Sequence, residues 1–177
     1  RVDARAACAH LDAEDAIPPD QQSRWRAAWA HALETIALSA QGSSHARLRL
    51  HGDAHPGNLL WRDDSPNFVD LDDACTGPAV QDLWMLLSGE PEAAQRQLAC
   101  LLEGYEIFRP FDRRELRLIE GLRLMRMLRH NAWVAARWGD PAFPIAYPDF
   151  GSSAYWAQQA TQLLEQSVAS REALGAA

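Results

Sequence analysis

Five turn-forming residues in a row, Asp63-Asp64-Ser65-Pro66-Asn67, separate two short apolar runs, Leu59 to Trp61 and Phe68 to Leu71. Asp, Asn and Ser hydrogen-bond their own backbone and Pro cannot continue a ladder, so the chain reverses there and the flanking runs pair as an antiparallel hairpin. With the turn at Asp64 to Pro66, pairing sets Asn58 opposite Asp72 and Leu60 opposite Asp70, to within a residue of register. The period of two then sends Asp70 and Asp72 to one side, with Asn58 near Asp70 at one mouth of the ribbon.

Little else in the chain is strand. Leu48 and Leu50 alternate with Arg47 and Arg49, a short strand leading into His51. After Gly77-Pro78 the pattern predicts helices near 79 to 88, 91 to 108, 112 to 138 and 153 to 170. Pro91 suits a first helical turn, and Asp112 with Glu115 resembles a capping box. Residues 1 to 19 read as a lead-in closed by Ile17-Pro18-Pro19. Asp20 then caps a helix that ends near Gly42, with an apolar face of Trp25, Trp29, Leu33 and Ile36. The expected fold class is mainly α with a small antiparallel β-hairpin.

In the 112 to 138 segment, Arg113, Arg117, Glu120, Arg123, Arg126, His130 and Arg137 recur at helical spacing and form a solvated face. Trp25, Trp29, Trp133, Trp138 and Trp156 fall among apolar residues and are expected in the core.

Composition excludes several classes of function. Three cysteines, Cys8, Cys75 and Cys100, lie far apart in no CxxC spacing, which fits reduced thiols rather than a disulfide framework or a zinc site. The net charge of -7 disfavours a nucleic-acid surface. No run approaches the ~18 apolar residues of a membrane span, and the first residues lack a signal-peptide layout, so a cytoplasmic protein without membrane or nucleic-acid partners is expected. The sequence is silent on oligomeric state, with a monomer favoured. The chain begins at Arg1 and its methionines are only Met85, Met125 and Met127, which reads as a fragment. All 17 basic residues are Arg.

The chemistry concentrates in HGDAHPGNLLWRDDSPNFVDLDDA, His51 to Ala74. Asn58, Asp70 and Asp72 offer hard oxygens of the kind Mg²⁺ takes alongside water and substrate phosphates. Asp53 precedes them in a loop whose Gly52, Pro56 and Gly57 permit tight backbone angles, and a carboxylate there can accept a hydroxyl proton and aim the oxygen at phosphorus. An Asp, an Asn five later and a second Asp beyond a short hairpin match the catalytic and metal-binding spacing of kinases. Two other readings use the same letters. His51, Asp53 and His55 alternate and on an extended strand could ligate zinc, as in a metal-dependent hydrolase, leaving Asn58 and Asp70 idle. Asp63, Asp64 and Asp73 fit a merely solvated turn.

HGDxHxxN followed by VDLDDA resembles the Brenner motif and metal-binding loop of the aminoglycoside phosphotransferase and choline kinase superfamily. The longer string HGDAHPGNLLWRDDSPNFVDLDDACTGPAVQDLWMLLSG is similar to the bacterial stress response kinase A family, cytoplasmic kinases of protein Ser/Thr. The match is strong from Leu48 to Gly89, with RWGDPAFP and Tyr155-Trp156 further familiar pieces. It implies the C-terminal lobe of a protein-kinase-like fold, with Asp53 as catalytic base and Asn58 and Asp70 as Mg²⁺ ligands. It further implies Asp72 as an additional or outer ligand, and His51 as a structural histidine bracing the loop. His55 would meet the transferring phosphate, and Asp82 would be the acid that hydrogen-bonds the catalytic-loop backbone. The implied cofactors are Mg²⁺ and ATP.

One departure bears on activity. The family's smaller lobe supplies a glycine-rich cover and a phosphate lysine, and this chain has neither a GxGxxG nor any lysine. The chain is therefore expected to be the C-terminal lobe alone, residues 1 to 177, folding by itself, binding Mg-ATP weakly and turning over negligibly. The expected acceptor is protein Ser/Thr; a small alcohol such as homoserine, choline or an aminoglycoside is the alternative, and a non-catalytic binding piece a third.

Overall fold

A computed structural model describes residues 4–42 and 45–175. The chain forms two compact units, one from residues 1–41 and 120–177 and one from 42–119. The first three residues of the predicted lead-in lie outside the described residues.

The first unit is helical: α1 (Ala4–Ala13), α2 (Pro19–Ala40), α5 (Ile119–Ala136, all but its first residue), α6 (Ala142–Ala146) and α7 (Ser153–Gly175). The lead-in is thus mostly α1, which buries Ala4, Ala7, Cys8 and Leu11 at the helical spacing of three, one and three. Small alanines hid that face from a hydropathy reading. Pro18 and Pro19 do not end an element but begin α2, with Pro19 in the first turn, where its missing N–H costs nothing, and Asp20 one place inside. The Asp20 carboxylate, accepting from Gln21 and Ser153, is held below the usual carboxylate range.

The fully buried face of α2 is Trp25, Ala28, Ala32, Thr35 and Ser39, while Trp29, Leu33 and Ile36 flank it half-buried. The predicted face was rotated because close helix approach selects small residues. A Cβ on Gly121 of α5 would lie 2.1 Å from Ser39 Oγ. α2 runs along α7, with Trp25 edge-on to Trp156 at 4.8 Å. Asn131 of α5, fully buried, donates to Met127 O and Gln159 Oε1 and accepts from Tyr155 Oη, so its polar groups are satisfied inside the core. Trp133 departs from the core expectation at 44% exposed, covered instead by His130, Phe143 and the Arg137 guanidinium. Of the predicted polar stripe, Arg113, Arg117, Arg126, His130 and Arg137 are exposed, and Glu120 and Arg123 half-buried.

The second unit carries β1 (Leu48–Leu50), β2 (Leu59–Arg62), β3 (Ser65–Phe68), β4 (Cys75–Gly77), α3 (Val80–Trp84) and α4 (Pro91–Glu106), then a 3-10 segment, Arg113–Leu118, that leads into α5. Its two sheets each hold two antiparallel strands. β1 pairs with β4, Leu48 opposite Gly77 and Leu50 opposite Cys75. β2 pairs with β3, Leu59 opposite Phe68 and Arg62 opposite Ser65. β4 was not foreseen, because Cys75-Thr76-Gly77 is too short to show an alternation.

The hairpin forms, but three residues out of the predicted register. Its turn is only Asp63-Asp64, both in left-handed backbone (φ 50° and 58°) as a two-residue primed turn requires. Ser65, Pro66 and Asn67 belong to the strand. Pro66 is tolerated because it faces Trp61 next to the closing pair, a position where no ladder N–H is called for. The partner of Asn58 is therefore Val69, whose N–H donates to the Asn58 carbonyl at 3.0 Å, and not Asp72. Nor does the period of two reach Asp70 and Asp72. Asp70 is itself left-handed (φ 62°), and Asp72 sits in a turn closed by Ala74 N–H on Leu71 O. Long helices with small antiparallel sheets are the mainly α class expected from the sequence.

Candidate active site

β1 ends at Leu50, and the next residues turn sharply. Gly52 has φ +89°, a left-handed conformation that a side chain would strain. The turn is gripped from α3. Asp82 accepts the His51 N–H at Oδ2 (2.7 Å) and the Gly52 N–H at Oδ1 (2.8 Å), while the Gln81 side-chain amide donates to the Gly52 carbonyl at 3.2 Å. Hydrogen bonds to a charged acceptor are the strong ones, so this turn is held on both its faces.

His51 ties the turn to the hairpin. Its Nδ1 accepts the Asp53 N–H at 3.3 Å, which leaves Nε2 as the protonated nitrogen, donating to the Val69 carbonyl at 2.8 Å. Phe68 packs against the ring at 5.7 Å. One imidazole therefore joins the Asp53 backbone to the residue immediately before Asp70.

Asp53 is half-buried. Its carbonyl accepts the His55 N–H at 2.9 Å and the Asn58 side-chain N–H at 3.0 Å. That second bond commits the amide nitrogen of Asn58, which is buried, and turns its oxygen away from the Asp53 carbonyl. Asn58 ends a 3-10 turn, Pro56–Asn58, capped by His55, whose Nδ1 accepts the Gly57 N–H at 3.0 Å. Nε2 is then the protonated nitrogen of neutral His55, and it lies 3.5 Å from Asp53 Oδ2. Glycine at position 57 leaves that ring its place: a Cβ there would stand 2.6 Å from His55 Cε1 and displace it.

Of the residues singled out in the sequence, His51, Asp53, His55, Asn58 and Asp82 are thus linked into one hydrogen-bonded network. Asp70 follows directly on Val69, the residue paired with Asn58, and is exposed. Asp72 and Asp73 are exposed in the next turn. The donor set fits a hard divalent cation: an amide oxygen with its nitrogen already engaged, and two exposed carboxylates able to share the ion with water and phosphate. It fits zinc poorly. Both nitrogens of His51 and Nδ1 of His55 are spent on internal bonds, and no group of three or more His, Cys, Asp or Glu converges among the described residues.

Two residues escaped the sequence reading. Gln81 holds the Gly52 carbonyl, and its only signal was its place beside Asp82 in VQDLW. Glu115, read as a capping-box partner for Asp112, instead turns inward, 3% exposed, and accepts the Val80 N–H at 2.9 Å. Asp112 caps alone, accepting from the Arg114 guanidinium first and the Arg114 amide second, which lowers its carboxyl below the ordinary range.

An aspartate, an amide and two further acids around a hairpin, on a mostly helical scaffold, resemble the arrangement of a kinase-like phosphotransferase site. The chain belongs to the phosphotransferase enzyme family, whose model matches residues 1–119. It is 47% identical over 159 residues to stress response kinase A of Salmonella choleraesuis (strain SC-B67) and, to the same extent, to serine/threonine protein kinase RdoA of Salmonella typhimurium, covering 87% of this chain and 47% of each relative. Identity with stress response kinase A of Escherichia coli (strain K12) is 52% over 138 residues, 75% of this chain and 42% of that protein. The chain spans about half the length of the curated relatives it matches. No helix among the described residues is long and apolar enough to cross a membrane.

Proposed function

We propose that this chain is the large lobe of an ATP- and Mg²⁺-dependent cytoplasmic kinase of protein Ser/Thr, working with a smaller lobe that supplies the nucleotide cover and the phosphate lysine. The observation that carries the reading is the Asp53 loop. Its backbone is fixed by Asp82 and His51, and its carbonyl orients the Asn58 amide. Phosphoryl transfer asks a protein mainly for positioning and charge neutralisation, and this loop is built for positioning.

Asp53 accepts the proton of the acceptor hydroxyl as that oxygen bonds the γ-phosphorus and the bond to the bridging oxygen of the leaving ADP breaks. His55, protonated on the nitrogen nearest Asp53, holds that carboxylate's orientation and offers an N–H to a phosphoryl oxygen once substrate is bound. Asn58 Oδ1, Asp70 and Asp72 would hold Mg²⁺. The ion, when bound, neutralises charge on the β- and γ-phosphates. The 47% identity to a protein named serine/threonine protein kinase RdoA supports a protein hydroxyl as acceptor over a small alcohol.

Radiolabelled ATP with Mg²⁺ and a mixture of protein acceptors tests the reading in the full-length gene product. Label should appear on Ser and Thr, and Asp53→Ala should abolish it. Equal labelling by wild type and Asp53→Ala would defeat the assignment, and label passing only to small alcohols would overturn the choice of acceptor.

A further inference from the structure

Glu115 carries a nearly buried carboxylate that no step above uses. Burying such a group is costly unless it is hydrogen-bonded, and its bond is to Val80 N–H, 35 residues away in sequence. Val80 is the first residue of α3, and the capping position before it, Ala79, has no side-chain acceptor to offer. Glu115 therefore caps α3 from outside. The next two residues are Gln81 and Asp82, which together hold Gly52 by its carbonyl and its N–H, and His51 by its N–H.

A helix of five residues has no intrinsic stability, so its placement follows from what grips it. At its first residue the grip is Glu115. The Gly52 turn it supports is left-handed, and a glycine, free to adopt many other conformations, takes its shape from the groups that bind it. We propose that Glu115 is a positioning residue for phosphotransfer. It fixes the start of α3, α3 fixes Gln81 and Asp82, and these fix the turn that presents Asp53. The catalytic part of this inference rests on the function proposed above; the structural part does not.

Amide hydrogen exchange on the chain tests the structural part. Glu115→Ala should speed exchange at Val80, His51 and Gly52 by about tenfold or more, with α2 and α7 unchanged. Glu115→Gln keeps an acceptor oxygen and should restore protection. Should Glu115→Ala also expose α2 and α7, Glu115→Asp, one methylene too short to reach, is judged by the same criteria. Unchanged protection at His51 and Gly52 in the readable variant would overturn the proposal.

Kinetics in the full-length protein test the rest. Glu115→Ala should lower kcat about tenfold while the KM for ATP moves less than about twofold, with Glu115→Gln close to wild type. Because Glu115 acts through Gln81 and Asp82, adding Glu115→Ala to a variant carrying both Gln81→Ala and Asp82→Ala should cost little more than that variant alone. Multiplying losses would refute the route through α3. If wild type itself transfers no phosphate, the functional reading fails while the exchange result still decides the role of Glu115.

Discussion

Nε2 of His55 faces Oδ2 of Asp53 at 3.5 Å, and Nδ1 of the same ring is fastened to the Gly57 N–H. The ring therefore cannot rotate without losing one of the two contacts, and Gly57 leaves it the room it occupies. Gly57→Ala would drive a methyl into Cε1, 2.6 Å away, and push the imidazole off Asp53. Because a displacement of about 1 Å at such a site can cost about a hundredfold in rate, kcat of the full-length protein should fall between about tenfold and a hundredfold. The ring is half-buried and has solvent to move into, so the melting temperature should change by no more than a few degrees. A variant with full kcat would show that the placement of His55 is irrelevant to the reaction.

Asp53 and Asp82 are both carboxylates of one loop system, yet they should fail differently. Asp82 accepts two backbone N–H groups, and removing a charged acceptor strands both donors. Asp82→Ala should therefore destabilise the chain by about 2–4 kcal/mol. Asp53 has a half-buried carboxylate whose contact with the His55 N–H is worth under about 1 kcal/mol at that exposure. Asp53→Ala should leave stability almost intact. Urea unfolding of the two variants side by side is the measurement, and equal midpoints would contradict the division between support and chemistry.

Left-handed backbone at Asp64 and Asp70 yields another contrast. An L-residue there costs about 1 kcal/mol that glycine escapes. Asp64→Gly converts the hairpin turn to the favoured Asp-Gly pair and should raise stability by up to about 1 kcal/mol without touching activity. Asp70→Gly should be equally harmless to folding, yet the full-length protein should need far more Mg²⁺ to work. Asp70 then resembles a residue kept in strain for its carboxylate. A Mg²⁺ requirement identical to wild type would remove Asp70 from the ion site.

What the sequence disclosed follows the range over which each signal acts. The loop from His51 to Asn58 was legible because its glycines, its proline and its polar groups act on neighbours within a few residues. The hairpin was legible in kind, but its register was not. Turn propensity summed over Asp63 to Asn67 cannot tell a two-residue turn from a five-residue one, and left-handed aspartates decided the matter. Glu115 was misassigned for a similar reason. The spacing from Asp112 described a local capping box, whereas its partner, Val80, comes from 35 residues away. The buried face of α2 was rotated toward alanines, since the closeness of α5 and α7 is a property of packing that no single helix carries.

The helical unit of α1, α2, α5, α6 and α7 should weaken in alkali. Burial pushes the Cys8 thiol up to about 12, with the Asp12 charge adding. The Tyr155 phenol, donating to Asn131 Oδ1 at 2.6 Å, is also pushed up to about 12, again by burial first and by Tyr147 second. Both groups are neutral when protonated. Once unfolded they release their protons near 9.0 and 10.0, so above that range the folded state binds more protons than the unfolded one. Stability is therefore fully present below about pH 9 and lost progressively as pH rises toward about 12. Urea midpoints from about pH 8 to about pH 11 should fall steadily. Tyr155→Phe should lower the midpoint at about pH 8, through the lost bond to Asn131 worth about 1 kcal/mol, and flatten the alkaline slope. Over the same range iodoacetamide should label exposed Cys100 quickly and Cys8 only after unfolding, since the attacking species is the thiolate. A midpoint that does not change with pH, together with rapid labelling of Cys8, would mean that neither group is buried as described.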